Sequence, residues 1–174
     1  MSPMICYIYE HNLQMSEIYG FELVLISDKN VSEYIDVPTK YWKLAHNFKS
    51  DIVRFFILHK YGGIWLDTDI IILKNLNETF HVFEQSDYFV MLDTEYGKNI
   101  GCASIFMKPN NICSDFCVKY IIRVLNSKRS MHWGCLGPDN AMALVKQFPK
   151  WVQINACDVA VSYTHLTLPT NREV

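Results

Sequence analysis

The stretch Ser50–Leu76 reads SDIVRFFILHKYGGIWLDTDIIILKNL, and its order of residue types decides the fold. Asp51 and Arg54 stand as a charged pair in a run otherwise built from Ile52, Val53, Phe55, Phe56, Ile57 and Leu58. This predicts a mostly buried helix over Asp51–Tyr61, with Ser50 as N-cap and Gly62 just past its end. Gly62-Gly63 permits a tight reversal and close backbone approach. Ile64–Leu66 and Ile70–Leu73 read as strands on either side of Asp67-Thr68-Asp69. A helix, a glycine break and a strand running into paired carboxylates make an α/β unit with a site at the strand's carboxyl end.

Working outward, residues 4–15 read as a short helix or an irregular start. Phe21–Ile26 (FELVLI) reads as a strand, and Asn30 with Glu33 as a capping box opening a helix to about Ile35, which Pro38 ends. Tyr88–Leu92 and Cys102–Met107 are two more expected strands. Asn111–Asn126 carries Ile112, Phe116, Tyr120, Ile121, Val124 and Leu125 on helical spacing. Pro138 belongs in the first turn of a last helix to about Phe148, and Trp151–Ile154 is an expected final strand. Residues 1–161 read as one α/β domain. The segment 162–174 (SYTHLTLPTNREV) has no periodicity and reads as a foreign or disordered tail.

A chain of 174 residues, half of them hydrophobic and a fifth charged, has the composition of one globular domain. A formal net charge of -2 gives no electrostatic argument for nucleic acid. No apolar run reaches the ~18 residues of a membrane span. The six cysteines form no C-x-x-C pair. Cys113 and Cys117, four apart on an expected helix, could share a face, but buried apolar thiols are the better reading than a zinc site.

A bare D-x-D can be a solvated turn. In extended backbone, however, Asp67 and Asp69 would point to one side, where two like charges repel unless a cation sits near them. Hard oxygen ligands suit Mn²⁺ or Mg²⁺, which complete their shells with phosphate and water. Asp51 and Arg54, three apart, share a helix face. A charged pair on a buried helix either pairs with something or lines a cleft.

The order S-D-x-x-R, then Y-G-G-I-W-L-D-T-D, then an apolar run and K-N-L resembles the D-x-D region of retaining GT-A glycosyltransferases. It is most similar to the group of α-1,4-galactosyltransferases, capsular-polysaccharide proteins and yeast mannosyltransferases. H-W-G-C-L-G-P-D-N (His132–Asn140) resembles a later block of that group. The resemblance implies a GT-A, Rossmann-like sheet and a metal-assisted transfer of a hexose from a nucleotide sugar to a glycan or glycolipid hydroxyl, with retention. UDP-hexose is the first expected donor and GDP-mannose the second. It implies that Asp51 and Arg54 contact the donor sugar and that Asp67 contacts ribose and sugar hydroxyls and approaches the metal. Asp69 would coordinate Mn²⁺ directly. Trp133, Gly134, Gly137 and Pro138 would close over the diphosphate or present the acceptor, with Asp139 and Asn140 alongside. Outside that role, Trp133 would be a core aromatic, His132 a surface histidine, and Asp139 and Asn140 helix caps. Members of the group open with a strand whose aromatic motif seats the nucleobase, and Met1-Ser2-Pro3 reads as starting after it. Two other readings use the same residues. One is a haloacid-dehalogenase-like phosphatase with Asp67 as nucleophile. The other is a non-catalytic sugar- or nucleotide-binding domain of the same fold.

Overall fold

The computed structural model describes residues 2–77, 89–93, 100–128, 130–150, 152–155 and 160–162. In chain order it has α1 (Pro3–Tyr19), α2 (Val31–Tyr34), a 3₁₀ turn (Tyr41–Lys43) and α3 (His46–Tyr61). Then come β1 (Gly63–Leu66), β2 (Ile70–Ile72), β3 (Phe89–Asp93), β4 (Ile100–Met107), α4 (Ile112–Asn126) and α5 (Pro138–Gln147). The strands β5 (Val152–Asn155) and β6 (Ala160–Ser162) close the order. Four strands form one sheet in the order β1-β4-β3-β5, and β2 pairs with β6 separately. β4 runs antiparallel to both β1 and β3, while β3 and β5 are parallel. The architecture is mixed α/β, as expected.

β4 is buried along nearly its whole length. Ile105 and Met107 are fully buried, and α3, α4 and α5 supply most of the remaining core. On α3 the apolar stripe Ile52, Phe55 and Leu58 is fully buried, each contributing roughly 1.5–3 kcal/mol by removal from water. Cys113 and Cys117 on α4 are fully buried, in line with the apolar reading.

Several local expectations change. α3 begins at His46, not Asp51, so Ser50 lies inside the helix and caps nothing. Phe21–Ile26 forms no strand within the described residues, because neither edge of it finds a partner. Asn30 turns its carboxamide oxygen to the Ser27 N–H at 2.7 Å instead of capping α2. α1 runs to Tyr19, where Gly20 in left-handed conformation donates its N–H to Ser16. The stronger capping box is at Asn111, whose Oδ1 accepts from Cys113 and Ser114 while Ser114 Oγ accepts from the Asn111 N–H. Tyr88, Trp151 and residues 163–174 lie outside the described residues.

Gly62 shows what the double glycine is for. Its φ is +69°, and a Cβ there would stand 2.5 Å from Pro109 Cδ and 3.0 Å from the Met107 carbonyl oxygen. Only glycine lets the end of α3 pass this close to the end of β4, and so lets β1 start in register with it.

Candidate active site around Asp51, Arg54 and Asp67

The site begins with the β1–β4 ladder. The Asp67 N–H donates to the Ala103 carbonyl at 2.7 Å, one step past Leu66, so β4 holds this backbone in place. The chain then turns, with the Ile70 N–H bonding back to the Asp67 carbonyl at 3.0 Å. Asp67-Thr68-Asp69 is therefore a turn and not extended backbone. Among the described residues β1 is an edge strand, which puts the carboxylates at the margin of that sheet. α1 anchors the far side of the turn. Asn12 Nδ2 donates to the Ile70 carbonyl at 2.7 Å, and Asn12 Oδ1 accepts from the Ile72 N–H at 2.9 Å.

α3 brings the other half. Arg54, only 4% exposed, reaches Asp51 Oδ1 with Nη1 at 3.0 Å and Asp67 Oδ1 with Nη2 at 2.8 Å. Nη2 also lies 3.4 Å from Ser50 Oγ. The Trp65 indole lies 5.7 Å from the guanidinium carbon, and its Nε1–H donates to Asp67 Oδ1 at 2.7 Å. One cation thus holds two carboxylates from two elements, and one indole braces both partners. Arg54 Nε is buried with no partner.

The electrostatics follow from burial. Loss of water pushes Asp51 up to about 6 against the pull of Arg54, with Asp67 adding to the rise. Burial also raises Asp67, opposed by Arg54 and the Trp65 bond, with Asp69 adding like-charge repulsion. Burial works against charge on Arg54, but Asp67, Cys102 and Asp51 outweigh it and hold the guanidinium above its ordinary value. Among the described residues, Asp51 and Asp67 share the single guanidinium of Arg54.

The late block meets this cluster through Gly137. A Cβ on Gly137 would stand 2.3 Å from Asp51 Oδ1, so the loop backbone rests on that carboxylate. Trp133 is not a core aromatic but 77% exposed. His132 is a surface histidine, and its Nε2 lies 2.9 Å from Asp139 Oδ2. Pro138 is half-buried at the first turn of α5, and Gly134 has φ +86°. Asn140 is fully buried and caps no helix; its Nδ2 donates to the Cys117 carbonyl at 3.1 Å, and its Oδ1 has no partner. Asn140 is thus turned into the α4–α5 contact.

Two members of the cluster were not read from the sequence. Trp65 stands two residues before Asp67, but an aromatic in a strand carries no mark of a polar task. Cys102, buried beside Arg54, is invisible without the β1–β4 pairing.

For a metal, the donor set decides. Among the described residues no group of three or more His, Cys, Asp or Glu side chains forms a cage. Both side-chain hydrogen bonds described for Asp67 arrive at Oδ1. Two carboxylates are a donor set that suits only an ion of the Mg²⁺ or Mn²⁺ type, which takes its other ligands from phosphate and water.

The chain belongs to the capsular polysaccharide synthesis protein family, whose model matches residues 3–133. It is similar to lactosylceramide 4-alpha-galactosyltransferase of Rattus norvegicus, 27% identical over 158 residues, covering 85% of this chain and 40% of that protein. The Mus musculus protein of the same name is 29% identical over 158 residues, 84% of this chain and 40% of its own. Inositol phosphoceramide mannosyltransferase 3 of Schizosaccharomyces pombe is 40% identical over 67 residues, 35% of this chain and 19% of that protein. The chain thus spans well under half the length of these relatives. The resemblance read from the sequence, to the glycosyltransferase group that holds these proteins, is shown.

Proposed function

We propose that this chain forms the donor-binding part of a hexosyltransferase that moves a hexose from a nucleotide sugar to a hydroxyl of a glycan or glycolipid. The observation that carries the reading is the Arg54 bridge, which joins S-D-x-x-R and D-x-D into one cluster. Asp69, with Asp67 beside it, would hold Mn²⁺ or Mg²⁺. When bound, that ion would neutralise charge on the leaving diphosphate. Asp51 and Asp67, fixed by Arg54 and Trp65, would accept hydrogen bonds from donor hydroxyls. The buried guanidinium would act by holding both acceptors in place. Retention by front-face displacement suits a site in which no side chain stands out as a nucleophile.

The finer fold reading is a GT-A sheet. Its support is the family match and the apolar Phe21–Ile26 segment, which shares a small recess with Ile5, Tyr9, Asn12, Leu66 and Asp67. The relatives' names point to ceramide-linked sugars as acceptors, with UDP-galactose ahead of GDP-mannose as donor.

The test is isothermal titration of UDP and GDP with Mn²⁺, followed by Mn²⁺-dependent hydrolysis of UDP-galactose, UDP-glucose and GDP-mannose. Metal-dependent nucleotide binding with slow hexose release is expected. Binding without release in any of the three would favour a non-catalytic domain. Failure of both nucleotides to bind would overturn the reading. A covalent phosphoenzyme on Asp67 would instead support the phosphatase, although its Oδ1 is already held by two donors.

A further inference from the structure

We propose that the exposed indole of Trp133, with the His132–Asp139 pair that joins its loop to the first turn of α5, is a stacking platform for an acceptor hexose at the rim of the Asp51–Arg54–Asp67 cluster. This rests on the hexosyltransferase reading above. An isolated exposed aromatic is ordinary on a protein surface and by itself says nothing. Trp133 differs because its loop is built to display it. The Cys135 N–H returns to the His132 carbonyl at 3.2 Å, closing a four-residue turn. Gly134 is the third residue, with φ +86°, as a type II turn requires. The Asp139 N–H then bonds to the Gly134 carbonyl at 3.1 Å. Cys135 and Leu136 are buried, and Gly137 rests on Asp51. The ring is thus outermost on a segment whose backbone is pinned at both ends.

The chemistry selects a neutral sugar over a diphosphate. A hexose has a face of C–H groups, made slightly positive by neighbouring oxygens, which suits the negative face of an indole. Its hydroxyls can bond to the exposed His132 and Asp139 side chains. A diphosphate would meet both that negative face and the Asp139 carboxylate. The Gly137–Asp51 contact links this loop to the cluster proposed to hold the donor, where an acceptor must approach.

The experiment uses the full chain labelled with ¹⁵N-tryptophan. The Trp133 indole resonance is assigned through Trp133→Phe, and lactose, methyl α-mannoside and UDP with Mn²⁺ are titrated separately. Lactose or the mannoside should shift the Trp133 resonance saturably while leaving Trp65 and Trp42 in place. Trp133→Ala should weaken that sugar's binding at least tenfold, and His132→Gln several-fold. No shift at Trp133 with either sugar, or equal shifts at Trp42, would overturn the platform. A Trp133 response to UDP and Mn²⁺ alone would assign it to the diphosphate and overturn it as well. Sugar binding at Trp133 without nucleotide binding keeps the platform and sinks the donor reading; the reverse sinks only the platform.

Discussion

Gly137 and Asp51 touch so closely that no side chain fits between them: a Cβ on the glycine would lie 2.3 Å from Oδ1 and 2.7 Å from Cγ. The carboxylate cannot simply retreat, because Arg54 holds it at 3.0 Å inside the protein. The loop after α4 and the charged face of α3 are therefore one unit, although 86 positions separate the two residues.

Gly137→Ala should consequently destabilise the fold by about 1–3 kcal/mol, the usual cost of overpacking. It should also weaken UDP–Mn²⁺ binding by displacing Asp51. Urea denaturation and calorimetry on the same variant check both. A variant with wild-type stability and affinity would show that the loop yields without cost.

Arg54→Met should cost about 3–5 kcal/mol, since it leaves the buried Asp51 and the half-buried Asp67 without their cation. Arg54→Lys should recover only part of this, because an ammonium is a point charge and cannot reproduce the fork reaching Asp51 and Asp67. Denaturation midpoints at pH 7 should rank wild type above Lys above Met. A Lys variant equal to wild type would mean the bidentate geometry is immaterial.

Asp51 should make stability depend on pH in an unusual direction. Its carboxyl is raised from 3.8 to about 6 by burial, so the native state holds a proton that the unfolded state has released. The contribution is fully present below pH 3.8 and is lost as pH rises through about 6. At roughly 1.4 kcal/mol per pH unit the swing is about 3 kcal/mol. In EDTA, the stability of Asp51→Asn relative to wild type should grow from pH 4 to pH 7.5. A difference that stays flat across that range would place the Asp51 titration elsewhere.

Asp69→Asn should abolish Mn²⁺-dependent turnover and leave the melting temperature nearly unchanged, since the turn keeps its backbone bond from Ile70 to Asp67. The readout is hexose release across a Mn²⁺ titration, with melting followed by circular dichroism. Retained activity at low Mn²⁺ would remove Asp69 from the metal's ligands.

Local features were legible from the chain alone where their cause is local. Gly62, with a positive φ, ends α3 where the sequence placed the break, and Pro138 opens α5 as its fixed backbone angle requires. Asp51 and Arg54 were readable as a pair because helical geometry sets an i, i+3 contact. The family was legible because the spacing from Ser50 to Asp69 is carried by the linear order of residues. Partners brought from a distance were not legible. Phe21–Ile26 has a strand's composition, but strand pairing needs a neighbour that local sequence does not specify. Whether β1 lies at the edge or the centre, and whether Asp67–Asp69 extends or turns, depended on β4 arriving from some 40 residues away. The bridge from Arg54 to Asp67 and the seating of Gly137 on Asp51 are decided in the same way. Residue order set which chemistry the chain carries, and tertiary packing decided which of those groups share one buried charge network, because charges removed from water persist only where the fold supplies their partners.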